Sequence, residues 1–183
     1  MPGNNKRTAK KKIQREARSN KGILVRFLVV YLSLMTSFFF LVAFNPVRKI
    51  IDLNGLYSRL VVFLTVLVLR IFGVFTHSEG SIIYLKGMSM NVLFGCNGLE
   101  AFLIYAAAVL SFPAPRRRKL WGLLVGFLIL QPLNIIRIVL LGFVGLYLKD
   151  YFYYFHFYVA QGIMVAVALV LFLGWLSHVT NKV

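Results

Sequence analysis

Acidic side chains are scarce: the 183 residues hold five Asp and Glu against 21 Lys and Arg, a formal charge of +16. Cysteine is scarcer, with Cys96 alone, so the chain forms no intrachain disulfide and no Cys-built metal cage. The three histidines, His77, His156 and His178, are scattered and no HExxH occurs, which excludes the usual zinc peptidases and leaves no metal or other cofactor indicated. No pair of intramembrane aspartates and no GxSxG is present, so aspartyl and rhomboid-like serine sites are excluded as well. Charged residues make up only 14% of the chain while 60% is hydrophobic, with mean hydropathy +0.79. Soluble domains run at roughly 25% charged and about 45–50% apolar, so this composition belongs to a membrane protein. The excess of positive charge is therefore read through its placement, and nucleic acid is not expected as a partner.

Five apolar stretches follow a polar, basic segment, residues 1–22, that is too poor in large apolar side chains to bury a core. Residues 27–44 carry no charge and are long enough for a membrane helix. A secretory signal peptide is the competing reading, disfavoured by the length of the run and by the absence of a small-x-small cleavage site before Asn45-Pro46. Residues 60–75 contain Arg70; 92–112 contain Cys96 and Glu100; 120–148 contain Gln131, Pro132, Asn134 and Arg137; 157–176 are uncharged. The expected fold is an all-α polytopic helical bundle of about four full spans, with 60–75 as an interfacial or re-entrant helix. The chain then divides into a basic tail (1–22), a first helix and external loop (23–55), a membrane catalytic domain (56–176) and a short tail (177–183).

Cytoplasmic loops are enriched in Lys and Arg, which orients the spans. Nine basic residues and one acid up to Arg26 hold that segment inside, and Arg116-Arg117-Arg118-Lys119 holds the loop opened by Pro113 and Pro115 on the same side. At about 1.5 Å of rise per residue, Cys96 lies roughly 24 Å above Phe112 and Arg137 roughly 26 Å above Leu120. His156 lies roughly 30 Å above Leu176 by the same measure. The three side chains are thus expected in one outer layer of a hydrocarbon core about 30 Å thick. With the tail inside, parity requires that 60–75 not cross. Between it and Cys96, residues 81–85 and 88–93 flank Lys86-Gly87 as a short surface hairpin, or else Tyr84, Met88 and Met90 are buried against helix tops.

Each polar residue has an ordinary reading beside a chemical one. A lone membrane Cys is usually a small buried hydrophobe. Cys96, however, falls at the expected start of a helix, where free N–H groups and the dipole depress a thiol pKa, and Gly95 and Gly98 leave the backbone accessible. Glu100 shares its face four residues on and either positions a partner or substrate amine or pairs with Arg70 or Arg137. Gln131, Asn134 and Arg137 recur every third residue as one polar stripe beside Pro132. Arg137 alone reads as a snorkelling side chain, but a buried amide companion one turn below is not needed for that. Asn134 alone reads as an interhelical packing bond. His156 sits among six aromatics between Tyr151 and Phe157, an interfacial belt. Gly122 and Gly126 read as a helix-packing pair, and His77 and His178 as unremarkable polar residues. Together Cys, Arg and His supply a thiol nucleophile, a cation for a developing oxyanion and an acid/base.

The motifs GCNGLEAFLIY at 95–105, NIIRI at 134–138 and FHF at 155–157 resemble the exosortase/archaeosortase family in order, spacing and membrane context, over roughly residues 56–176. The compact size is similar to the exosortase H subgroup. The resemblance implies a membrane cysteine transpeptidase or protease of the bacterial inner membrane, with Cys96, Arg137 and His156 catalytic and Asn134, Glu100, Gly98 and Gln131 supporting. It implies as partners exported proteins bearing a C-terminal motif, an apolar helix and a basic tail, together with a nucleophilic acceptor. Membrane lipids are expected contacts of the basic clusters. The competing class is a non-enzymatic polytopic subunit or carrier whose Arg137, Glu100 and Asn134 line a polar path.

The charge placement makes a separate prediction. Reporter fusions after Pro115 and after Val183 should both report the cytoplasm, and an external signal from either would refute the assigned depths.

Overall fold

The computed structural model describes residues 21–38, 40, 53–92 and 95–181. Helix α1 spans Lys21–Phe38 and α2 Leu53–Ile71; strands β1 His77–Glu79, β2 Ile82–Leu85 and β3 Met88–Asn91 follow. Helix α3 covers Leu99–Ser111 and α4 Arg116–Tyr147. A 3-10 turn (Lys149–Tyr151), one helical turn (Phe152–Tyr154) and a π-helical segment (Phe155–Ala160) then run into α5, Gln161–Thr180. Among the described residues, Lys21–Phe38, Arg116–Tyr147 and Lys149–Thr180 are long and apolar enough to cross a membrane. The far end of the 27–44 run and the basic segment up to residue 20 lie outside the described residues.

Local chemistry sets the helix ends. Phe112 is extended (φ −74°, ψ 137°), as the residue before Pro113 must be to avoid the proline ring, and α3 stops there. Pro115, also extended, caps the start of α4. At the end of α2, Gly73 adopts φ +75°, which lets its N–H reach the Arg70 carbonyl while the Val74 N–H reaches that of Leu69, a Schellman closure. The helix expected at 60–75 therefore begins earlier and ends earlier. The span expected at 92–112 is shorter as a helix, because Gly95 (φ +94°) and Gly98 (φ +79°) hold the chain in a turn before Leu99. Cys96 thus precedes the helix and does not start it.

The all-α expectation holds for the bundle, with one small sheet added. The strands form an antiparallel sheet in the order β1-β2-β3. The hairpin read around Lys86-Gly87 is β2 and β3, with Leu85 opposite Met88 and Ile83 opposite Met90; β1 was not expected. Ile83, Leu85 and Met90 face inward while Tyr84 and Ser89 are exposed, the period-two pattern of a half-covered sheet. The methionines do meet helix tops: Met88 lies against Gly145 and Met90 against Gly142 of α4.

Helix α4, 32 residues and about 48 Å long, outruns a hydrocarbon core of about 30 Å and belongs to two apolar cores. Its C-terminal half packs through Ile138 and Leu141 on Val62, Val66 and Leu69 of α2 and on Ile83 of the sheet. Its N-terminal half packs through Leu130 on Ala101, Tyr105 and Val109 of α3 and on Met164 and Ala168 of α5. Gly122 and Gly126 do serve packing, but they receive aromatic rings. Trp175 covers Gly122, the Tyr105 ring covers Gly126, and the Tyr105 hydroxyl donates to the Gly122 carbonyl at 2.9 Å.

A helical Gly→Ala change ordinarily favours the helix by up to about 1 kcal/mol. Gly126→Ala should instead destabilise by about 1–3 kcal/mol, because its methyl enters the Tyr105 ring. Gly174→Ala, with nothing within 4 Å of the new methyl, should stabilise. Thermal unfolding of the purified protein in detergent reads the opposite signs.

Candidate active site

The two cores meet at the level of Asn134 and Arg137, which lie between Leu130 of one and Ile138 of the other. Into this seam the turn before α3 brings Cys96. Asn97, fully buried, holds that turn: its Nδ2 donates to Ser58 Oγ of α2 at 3.1 Å and its Oδ1 accepts from the Leu99 N–H at 3.1 Å. One side chain thereby ties the turn to α2 and satisfies a free amide of the first turn of α3. Gly98 is required for its backbone conformation and for space, since a Cβ there would stand 2.6 Å from Asn134 Cγ.

Cys96 Sγ lies 3.2 Å from His156 Nε2, a contact across 60 residues of sequence. With a neutral pair the thiol donates to Nε2; with the charged pair the imidazolium donates to the thiolate. His156 is held by aromatic rings: Phe152 stacks on it at 5.8 Å and 5°, and Phe157 meets it edge-on at 4.9 Å and 90°. Its Nδ1 is buried without a hydrogen-bond partner, so among the described residues no carboxylate or amide orients the ring.

Arg137 is buried at 8% exposure, within electrostatic range of Cys96, Glu100 and His156. Its Nε has no hydrogen-bond partner, and Asn134, at 0% exposure, has both amide atoms without one. Gln131, half-buried, lies beside Tyr57 of α2. Glu100 accepts a hydrogen bond from Gln161 Nε2 at 3.3 Å, and its Oε2 lies 3.5 Å from where a Cβ on Gly95 would stand. Arg70 instead donates to the Thr76 carbonyl at 3.3 Å, which removes it from the pairings expected for Glu100.

Gln161 is the site residue that sequence reasoning missed. It is a polar residue at the head of an otherwise apolar span, but five residues from His156, about 140° away around a regular α-helix. The i→i+5 bonding of the π-helical segment between them widens the turn and closes most of that angle. His156 thus reaches Cys96 while Gln161 reaches Glu100.

The thiol is not depressed as its expected place at a helix start suggested. Burial pushes Cys96 above the usual thiol value; the Arg137 charge opposes this and the Glu100 charge adds to it. The seam therefore disfavours the Cys96 thiolate while setting its sulfur beside an imidazole. Against Arg137 opens an apolar groove of about 390 Å³ between α4 and the helix of His156, walled by Leu133, Ile136, Leu140, Phe155, Val159 and Ile163.

A multi-helix membrane protein whose lone thiol meets an imidazole beside a buried arginine has the equipment of a membrane-embedded cysteine enzyme. Residues 21–174 match the family model of the transmembrane exosortases, and the chain belongs to that family. No curated protein and no solved structure matches it.

The thiol's surroundings set how it reacts with a small neutral alkylating agent. The rate at Cys96 should keep rising with pH beyond the point where an ordinary thiol levels off. Arg137→Gln, which removes the opposing charge, should move that rise to higher pH, and Glu100→Gln should move it lower. A profile identical to that of a free thiol would show that the seam does not act on Cys96.

Proposed function

We propose that the protein is a cysteine transpeptidase or protease that cleaves a C-terminal tripartite sorting signal on exported proteins and passes the new carboxyl end to a nucleophilic acceptor. The reading rests above all on the 3.2 Å contact between Cys96 Sγ and His156 Nε2 within the field of Arg137. His156 takes the thiol proton and the Cys96 thiolate attacks a peptide carbonyl carbon. Charge collects on the carbonyl oxygen, where the Arg137 guanidinium stabilises it. As the tetrahedral centre collapses, the C–N bond breaks, His156 returns its proton to the leaving amine, and a thioester remains on Cys96. The acceptor then gives its proton to His156 and attacks the thioester; the C–S bond breaks and the departing Cys96 sulfur takes that proton back from His156.

A protonated resting thiol suits this sequence, because the proton removed from sulfur is the one the leaving amine needs. Glu100, fixed by Gln161, is placed to hold the amine of a substrate or acceptor near the thioester. Asn134 offers a buried amide whose two polar atoms await partners. The apolar groove at Arg137 suits the apolar helix of the signal, with the cleavable bond at its outer end. Cys96, Arg137 and His156 are accordingly the catalytic residues, supported by Asn134, Glu100, Gly98 and Gln131. The chain sits in the bacterial inner membrane with its N-terminus cytoplasmic and this site at the outer face. Compact size favours the exosortase H type, whose substrates carry an IPTL-type signal.

Cys96→Ala should abolish processing of a co-expressed substrate while the protein still accumulates in the membrane. Normal processing by that variant would sink the mechanism. Loss of function on charge changes at Arg137 and Glu100 with full function retained in Cys96→Ala would support a carrier.

A further inference from the structure

A cavity of about 810 Å³ lies far from Cys96. It opens beside the first turns of α4 and the last turns of α5, with Arg117 near its mouth some 20 residues, or about 30 Å, from Arg137. It is lined by Val125, Val170 and Leu171, by Trp121 and Trp175, and by Arg117, Arg118 and His178. The volume is in the range of about 300–1,000 Å³ that holds a ligand.

The four cations at the start of α4 do not share one role. Lys119 Nζ donates to the Leu110 carbonyl at 2.5 Å and Arg118 Nη1 to the Val179 carbonyl at 3.0 Å, so these two satisfy the free carbonyls at the ends of α3 and α5. Trp175 Nε1 donates to the Arg118 carbonyl at 3.1 Å and completes the tie. Arg117 is exposed, has no hydrogen bond or ion pair among the described residues, and lines the cavity. The acids among the described residues are Glu79, Glu100 and Asp150, and all of them belong to the sheet or to the seam end of the bundle. A cation therefore stands over an apolar chamber with no described carboxylate to neutralise it.

We infer that this cavity binds one anionic phospholipid, its phosphate at Arg117 and its acyl chains along Val125, Val170 and Leu171. A basic pocket between membrane helices is suited to an anionic headgroup. The two chemistries of the cavity select the ligand together. Free phosphate leaves the apolar walls unused, and a zwitterionic lipid brings its own ammonium to a lining already positive. The site is independent of the chemistry at Cys96.

The test uses the full-length protein, purified in detergent and stripped of lipid, then given phosphatidylglycerol, phosphatidylethanolamine or inorganic phosphate. Native mass spectrometry and thermal unfolding read the result. One phosphatidylglycerol per chain should be retained and should raise the unfolding temperature, with phosphatidylethanolamine held at least tenfold more weakly. Arg117→Gln should weaken retention about fivefold, the worth of one surface cation. Gly174→Leu, which fills the open space at the cavity wall and keeps every charge, should also expel the lipid. Arg59→Gln, an exposed cation on α2, should change nothing. Equal retention of the two lipids, retention unaffected by Gly174→Leu, or equal stabilisation by inorganic phosphate would each overturn the inference.

Discussion

A guanidinium held in a helix that is otherwise apolar is the constraint around which this protein is arranged. Removing Arg137 from water costs several kcal/mol, and such a charge persists where other groups answer it. Here the answering charge is Glu100 on α3, at the seam between the two apolar cores, with Cys96 beside it in the turn before α3. Arg137 lacks a close hydrogen-bonding partner at Nε. That leaves it electrostatically committed to the seam while its Nε remains without a hydrogen-bond partner.

The same constraint explains the division of labour along α4. Its first half belongs to a small-residue and aromatic packing with α3 and α5, and its second half to the sheet and α2. A helix shared by two cores is fixed at both ends, so the residues at the junction inherit rigidity without needing hydrogen bonds of their own. Asn97 repeats that logic on the other wall, where one buried amide joins the Cys96 turn to both α2 and α3.

The membrane character, the order of the apolar segments, the hairpin at Lys86-Gly87 and the meeting of Cys96, Arg137 and His156 were legible in the sequence. They depend on hydropathy and on the constant helical rise, which tolerate local irregularity. The start of α3 was not legible, because it depends on two glycines at positive φ within an apolar run that reads as continuous helix. Gln161 was hidden by the π-helical segment, since face assignment at 3.6 residues per turn separates it from His156. Strand β1, three residues with no apolar alternation, carries no pattern to find. The thiol at Cys96 is raised where a depressed one was expected, because burial outweighs the opposing Arg137 charge.

That outcome bears on how the sulfur survives. Oxidation to sulfenic acid, like alkylation, proceeds through the thiolate. A thiol whose ionised form is disfavoured by burial exposes little thiolate to peroxides. A chain with a single cysteine also has no resolving thiol within it to reverse such damage by disulfide exchange. Burial of Cys96 therefore works against its irreversible oxidation.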